Sequence, residues 1–272
     1  MTSPSELPST PAPTTEFEIF RGLHYRDQPL VLPNAWDFAS AALLATEGFP
    51  AIGTTSLGVA AAAGLADGAG VTETETLAMA RRLAGLPVPV TVDIEGGFHE
   101  IPSAVADFVK QLAACGIVGV NLEDGRAGSA LAAPDHQAEL ITAIKNRTPE
   151  VFVNARVDTY WLSLDHSSTH DRVRRYAAAG ADGIFVPGLT DRTGIEQIVA
   201  ATDLPVNVLY SATGPTVATL AELGVRRVST GSLLYRAALS AAVDVARAVL
   251  QDAPVSSGIV TYPDIQRLLP AR

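Results

Sequence analysis

A (β/α)8 barrel is the fold this sequence predicts, and three observations predict it. Eight short apolar runs recur along the chain, at 30–37, 51–56, 88–95, 119–124, 151–158, 183–187, 205–209 and 227–231. Ala-rich, helix-like stretches separate them, and strand alternating with helix eight times is the rhythm of a closed parallel barrel. The length of 272 residues fits one such domain, which takes about 250.

The elements follow in order. Residues 1–15 are rich in Ser, Thr and Pro, without an apolar core or a basic start. They read as a disordered tail rather than a secretory signal, with 16–272 forming the single domain. A first helix begins near Phe17. Asp37 caps a helix over 38–47, and Gly48 ends it. The second strand runs into Thr54-Thr55-Ser56-Leu57-Gly58, and a Gly-rich loop holding Asp67 follows. Thr72 caps a helix to Leu83, with Glu73 and Glu75 in the first turn, where the helix dipole favours acids. In the third run, strand alternation puts Asp93 and Glu95 on one face, and Gly96-Gly97 turns the chain. A helix over 103–114 ends at Gly116, before a fourth strand ending in Glu123-Asp124.

Residues 126–134 show no period and read as a flexible loop after a strand end, placed to act as a lid. A helix over 135–145 leads to the fifth strand, where Asn154, Arg156 and Asp158 fall on one face. The next helix starts at Thr169 or His170 and runs to Gly180. Residues 233–250 are Ala-, Leu- and Val-rich, with charge only at Arg236, Asp244 and Arg247. A helix so apolar around its girth needs burial on more than one side. A short last helix is expected within 261–269.

Composition excludes several classes. With 47% hydrophobic and 18% charged residues, the chain sustains a core. A net charge of −10, with no basic cluster beyond Arg172, Arg174 and Arg175, argues against nucleic acid. No apolar run reaches the roughly 18–20 residues of a membrane span, so no membrane partner and a cytoplasmic location are expected. The single cysteine, Cys115, excludes an internal disulfide and reads as an inert thiol at a helix end. None of the five histidines stands in a metal-ligand spacing. Nucleophile-elbow, Gly-x-Gly-x-x-Gly and Walker motifs are absent.

In this fold the C-terminal strand ends face the active site. Here they carry Asp93, Glu95, Glu123, Asp124, Arg156 and Asp158. Ionised carboxylates crowded together repel and are costly to bury unpaired. They share protons, pair with Arg156, or hold a cation, and oxygen ligands from scattered strand ends suit Mg2+ or Mn2+. Arg156 offers a planar fork that matches an anionic substrate, or else bridges to Glu123. Ser56 and Leu57 follow strand two, where their backbone N–H groups face an oxyanion.

At these residues the chain resembles the isocitrate lyase/phosphoenolpyruvate mutase superfamily, over roughly residues 17–250. The matching elements are Pro33-Asn34-Ala35-Trp36-Asp37, Thr54-Thr55-Ser56-Leu57 and Ala66-Asp67. Val92-Asp93-Ile94-Glu95-Gly96-Gly97-Phe98, Asn121-Leu122-Glu123-Asp124 and Asn154-Ala155-Arg156-Val157-Asp158 complete the set. The resemblance implies a barrel, a divalent metal, and C–C or P–C bond chemistry on 2-oxo acids or their enolates. It implies Asp93 as direct metal ligand, with Glu95 and Glu123 holding metal waters and Asp67 supporting them. It further implies Ser56, Leu57 and Trp36 at the substrate, Arg156 clamping its distal anion, and Asn207 lining the pocket. A homo-oligomer, dimer or tetramer, with the last barrel helix exchanged between subunits is implied too.

The chain departs from family lyases on the loop after strand four. Where they carry Lys-Lys/Arg-Cys-Gly-His, it reads Gly125-Arg126-Ala127-Gly128-Ser129-Ala130-Leu131. The favoured expectation is a Mg2+-dependent C–C lyase for a small 2-oxo or malate-like acid. A phosphonopyruvate-type hydrolase or mutase, and a non-catalytic ligand-binding barrel, stay open.

Overall fold

The computed structural model describes residues 15–255 and 257–269. The expected tail lies almost wholly outside them. Eight parallel strands form the barrel: β1 in two pieces (Leu30–Leu32 and Asn34–Ala35), β2 (Ile52–Thr54), β3 (Val90–Asp93), β4 (Gly119–Glu123), β5 (Phe152–Arg156), β6 (Gly183–Phe185), β7 (Val206–Leu209) and β8 (Arg227–Ser229). All eight match the apolar runs of the sequence.

Pro33 explains the break in β1. It has no N–H to give to a ladder, yet its carbonyl accepts from Gly53 N at 2.9 Å. Leu30–Leu32 pairs with β8 on one side, and Asn34–Ala35 pairs with β2 on the other. One strand therefore joins both ends of the sheet and closes it.

The N-terminal mouth is stoppered. Helix Glu16–Leu23 opens with a capping box between Thr15 and Glu18 and buries Phe20 and Leu23 against Leu30, Leu32, Ala51, Val118 and Phe152. His24 stacks on Phe152, with ring centroids 4.4 Å apart. Gly119 is required here: a Cβ would meet Thr91 Oγ1 at 3.0 Å and Phe20 at 3.1 Å. The larger apolar core fills the space between the strands and the surrounding helices.

Two expected local features differ. The loop after β4 is not aperiodic, since Gly125–Arg126 pairs antiparallel with Ala130–Leu131. Gly128 and Ser129, both at positive φ, make its turn. Thr72 precedes helix Glu73–Leu83 but does not cap it with its side chain; its hydroxyl donates to Glu95 Oε1 at 2.6 Å instead.

Helix Leu233–Leu250 buries none of its residues. Near its start Tyr235 meets Trp36 edge to face at 5.4 Å. Helix Tyr262–Leu268 packs on helix Phe38–Thr46, the helix that follows β1.

Candidate active site

Beneath the C-terminal mouth the barrel interior is polar. Asn121, Asn154, Asn207, Arg227 and Ser229 are all buried there. Asn154 Nδ2 donates to Asn121 Oδ1 at 2.9 Å, and Arg227 donates to Ser229 Oγ at 3.0 Å and Asn121 Oδ1 at 3.3 Å. Burial pushes the Arg227 guanidinium down to about 9, with Asp93 opposing that shift. Burial also drives His24 down to about 3, aided by the nearby Arg227 charge. Asn207 belongs to this layer. It exchanges hydrogen bonds with Ser229 and does not line the cavity above, where Ser229 takes the wall position.

That cavity, of about 320 Å3, opens at the strand ends. Asp93, Glu123 and Arg156 form its floor, and Asp67 joins from the loop after β2. Arg156 Nη1 lies 2.7 Å from Glu123 Oε2 and 3.8 Å from Asp93 Oδ2, while its Nε donates to Asp158 Oδ1 at 2.6 Å. Burial raises the carboxyls of Asp93, Asp158 and, most, Glu123; the Arg156 charge pulls each back. Burial alone would lower Arg156, but Glu123, Asp158 and Asp93 outweigh it and hold the cation firmly protonated. Arg156 thus sits among the acids at the cavity floor. Gly125 makes room for Asp158, whose carboxylate a side chain there would strike.

Glu95 stands apart. The strand ends at Asp93, and Glu95 adopts φ +49°, so the expected alternation stops short of it. Its carboxylate accepts from Gly70 N at 2.8 Å and from Thr72. Its own amide donates to Asp93 Oδ1 at 3.1 Å, which orients the Asp93 carboxylate. Burial raises the Glu95 carboxyl, and the Thr72 and Gly70 donors oppose this.

Asp124 faces away from the cavity. It accepts from Asp158 N at 2.8 Å, Arg172 Nη1 at 2.8 Å and Tyr176 Oη at 2.7 Å. It therefore ties β4 to helix Thr169–Ala178, and Arg172 is part of that buried link rather than of a basic surface. Ser56 opens helix Ser56–Ala62, with Leu57 on the cavity wall. Thr55 gives no side-chain cap there. Trp36 packs on Tyr235 and is not a wall residue.

Sequence pattern alone does not bring the rest of the wall together. Trp161, Leu162, Phe185, Pro187 and Leu209 build the side contributed by β5–β7 and the turn after β5. Their signal was faint: an aromatic three residues beyond Asp158, and apolar ends on strands six and seven.

Among the described residues no three acidic, histidine or cysteine side chains enclose a cation by themselves. The donor set nevertheless fits Mg2+, which retains several waters and needs only one or two direct carboxylates. Three buried carboxylates of disfavoured ionisation, with a single arginine among them, have room for further positive charge.

Fold and site together define a barrel enzyme with an acid-and-arginine centre at its C-terminal mouth. The family model described as phosphoenolpyruvate phosphomutase matches residues 20–250. An uncharacterised Mycobacterium tuberculosis protein is 48% identical over 252 residues, covering 92% of this chain and 95% of its own. The oxaloacetate decarboxylase of Ectopseudomonas mendocina is 30% identical over 197 residues, covering 68% and 67%. A solved Burkholderia cenocepacia protein, provisionally assigned as a phosphonomutase, superposes with a TM-score of 0.80 at 38% identity, over 85% of this chain and 99% of that one. The chain belongs to the phosphoenolpyruvate mutase/isocitrate lyase superfamily, a class of lyases and mutases. No helix among the described residues is long and apolar enough to cross a membrane.

Proposed function

We propose that this protein is a Mg2+-dependent C–C lyase acting on a small 2-oxo or malate-like acid. The observation that carries the reading is the convergence of Asp93, Glu123 and Arg156 on one cavity floor at the strand ends. Asp93 would ligate the ion directly, Glu123 and Glu95 would hold its waters, and Asp67 would support them. Bound there, the cation supplies electrostatic stabilisation to the negative charge that develops as a 2-oxo acid forms its enolate.

The chain's own groups do the rest. Glu95, fixed by Gly70 and Thr72, holds Asp93 in place through its amide. Arg156 balances the acids and presents its guanidinium at the same end, beside the substrate's carboxylate. Ser56 and Leu57 N–H groups face the anionic head from the helix start. Asn207 and Trp36 act one step back, Asn207 by holding Ser229 and Trp36 by holding Tyr235.

Two measurements test this. Turnover of 2-oxo acids and substituted malates in Mg2+ supports the reading; a protein that binds oxalate but turns over none of them is a ligand-binding barrel instead. Asp93→Ala should abolish Mg2+ or Mn2+ binding by calorimetry, and unchanged affinity would remove the site. A homo-oligomer is part of the proposal, supported by helix Leu233–Leu250, on which Leu239, Val243, Val249 and Leu250 are exposed.

A further inference from the structure

The cavity is divided by charge. Three of its acids come from the β2–β4 side, Asp67, Asp93 and Glu123, and the fourth, Asp158 just past β5, is held by Arg156 Nε at 2.6 Å. Across Arg156, the β5–β7 side is a continuous apolar wall of Trp161, Leu162, Phe185, Pro187 and Leu209. The Trp161 and Phe185 rings each lie 5.8 Å from the Arg156 guanidinium carbon. Arg156 Nη1 and Nε face Glu123 and Asp158.

A second carboxylate on the substrate would need a cation on that wall. Only two cationic side chains line the cavity among the described residues, Arg126 and Arg156. Arg156 is held by Glu123 and Asp158 at the acid end. Arg126 is turned back on its own hairpin: Nη1 donates to the carbonyls of Glu123 at 2.9 Å and Gly125 at 2.8 Å, and Nη2 to Gln137 Oε1 at 3.1 Å. The chain has just two lysines, Lys110 and Lys145, and neither is a wall residue. An anionic tail seated against this wall would be desolvated without a partner. A hydrocarbon tail would exchange water for apolar contact.

We infer that the substrate's substituent remote from the acid floor is an uncharged hydrocarbon rather than a carboxylate, with Trp161, Leu162, Phe185, Pro187 and Leu209 setting that preference. This rests on the proposed function above and narrows it to 2-oxo acids with a hydrocarbon tail, rather than malate-like diacids.

Calorimetry of the full chain in Mg2+ tests it with three probes. Oxalate carries the head alone, 4-methyl-2-oxopentanoate adds a branched hydrocarbon tail, and 2-oxoglutarate adds a carboxylate tail of similar reach. The expected result is oxalate binding, with 4-methyl-2-oxopentanoate at least tenfold tighter than 2-oxoglutarate. Leu209→Arg should raise 2-oxoglutarate affinity at least tenfold, with oxalate binding as the check that the variant is folded. If oxalate binds and 2-oxoglutarate equals or exceeds the hydrocarbon acid, the tail assignment is overturned while the 2-oxo-acid reading stands. If oxalate fails to bind the unmodified chain, that reading falls, and this inference with it.

Discussion

Arg156 shows how one side chain serves a crowded site. It meets Glu123 at 2.7 Å and Asp158 at 2.6 Å, contacts a single point charge cannot make together. Arg156→Lys should weaken oxalate binding in Mg2+ by about 1–3 kcal/mol, with Mg2+ affinity largely kept; equal oxalate affinity would make Arg156 a bridge only. His24 offers a second residue-scale test. Its Nδ1–H donates to Phe20 O at 3.0 Å, and burial beside Arg227 holds it at about 3, against an ordinary 6.5. Below pH 6.5 the unfolded chain takes up a proton that the folded chain refuses. The stability present above pH 6.5 is therefore lost as pH falls toward 3, by about 1.4 kcal/mol per pH unit. In thermal melts from pH 7 to pH 4.5, His24→Phe should show a shallower acid decline than the parent. Parallel declines would refute the assignment.

At the scale of elements, the barrel is braced from outside its strands. Asp124 links the end of β4 to the start of β5's turn through Asp158 N, and to helix Thr169–Ala178 through Arg172 and Tyr176. Removing one partner of a buried pair strands the other charge. Asp124→Asn should cost on the order of 3 kcal/mol in urea unfolding. A loss under about 0.5 kcal/mol would show the link to be no stronger than a surface pair. The same bracing positions Asp158, and through it Arg156, so the outer ion pair and the cavity floor are mechanically continuous. The hairpin after β4 works likewise, because Arg126 clamps it to the carbonyls of Glu123 and Gly125.

For the whole molecule, helix Leu233–Leu250 is an element with no fully buried residue. Leu239, Val243, Val249 and Leu250 are all exposed on it. The alternative cover within one chain, the segment around Tyr262–Leu268, packs on helix Phe38–Thr46 instead. A projecting apolar helix gains most by seating on a second copy. Sedimentation equilibrium at micromolar concentration should give a dimer or tetramer; a monomer of 28.3 kDa would refute it.

The sequence by itself determined the barrel and the residues at its mouth. Eight apolar runs are a periodic signal, and the acids at their ends are read directly from strand polarity. Buried Asn121, Asn154 and Asn207 recur within those runs, a trace of the polar layer that holds Arg227. Tertiary structure alone decided where each side chain is aimed. Alternation holds only while the strand lasts, so Asp93 enters the cavity and Glu95, at φ +49°, turns to Gly70 and Thr72. Asp124 takes the face opposite Glu123 and binds a helix 48 residues onward. Arg156 joins the acids because they surround it in space, and the apolar wall assembles from the ends of two strands and a turn. Such contacts depend on distance across the barrel, which no local pattern along the chain encodes.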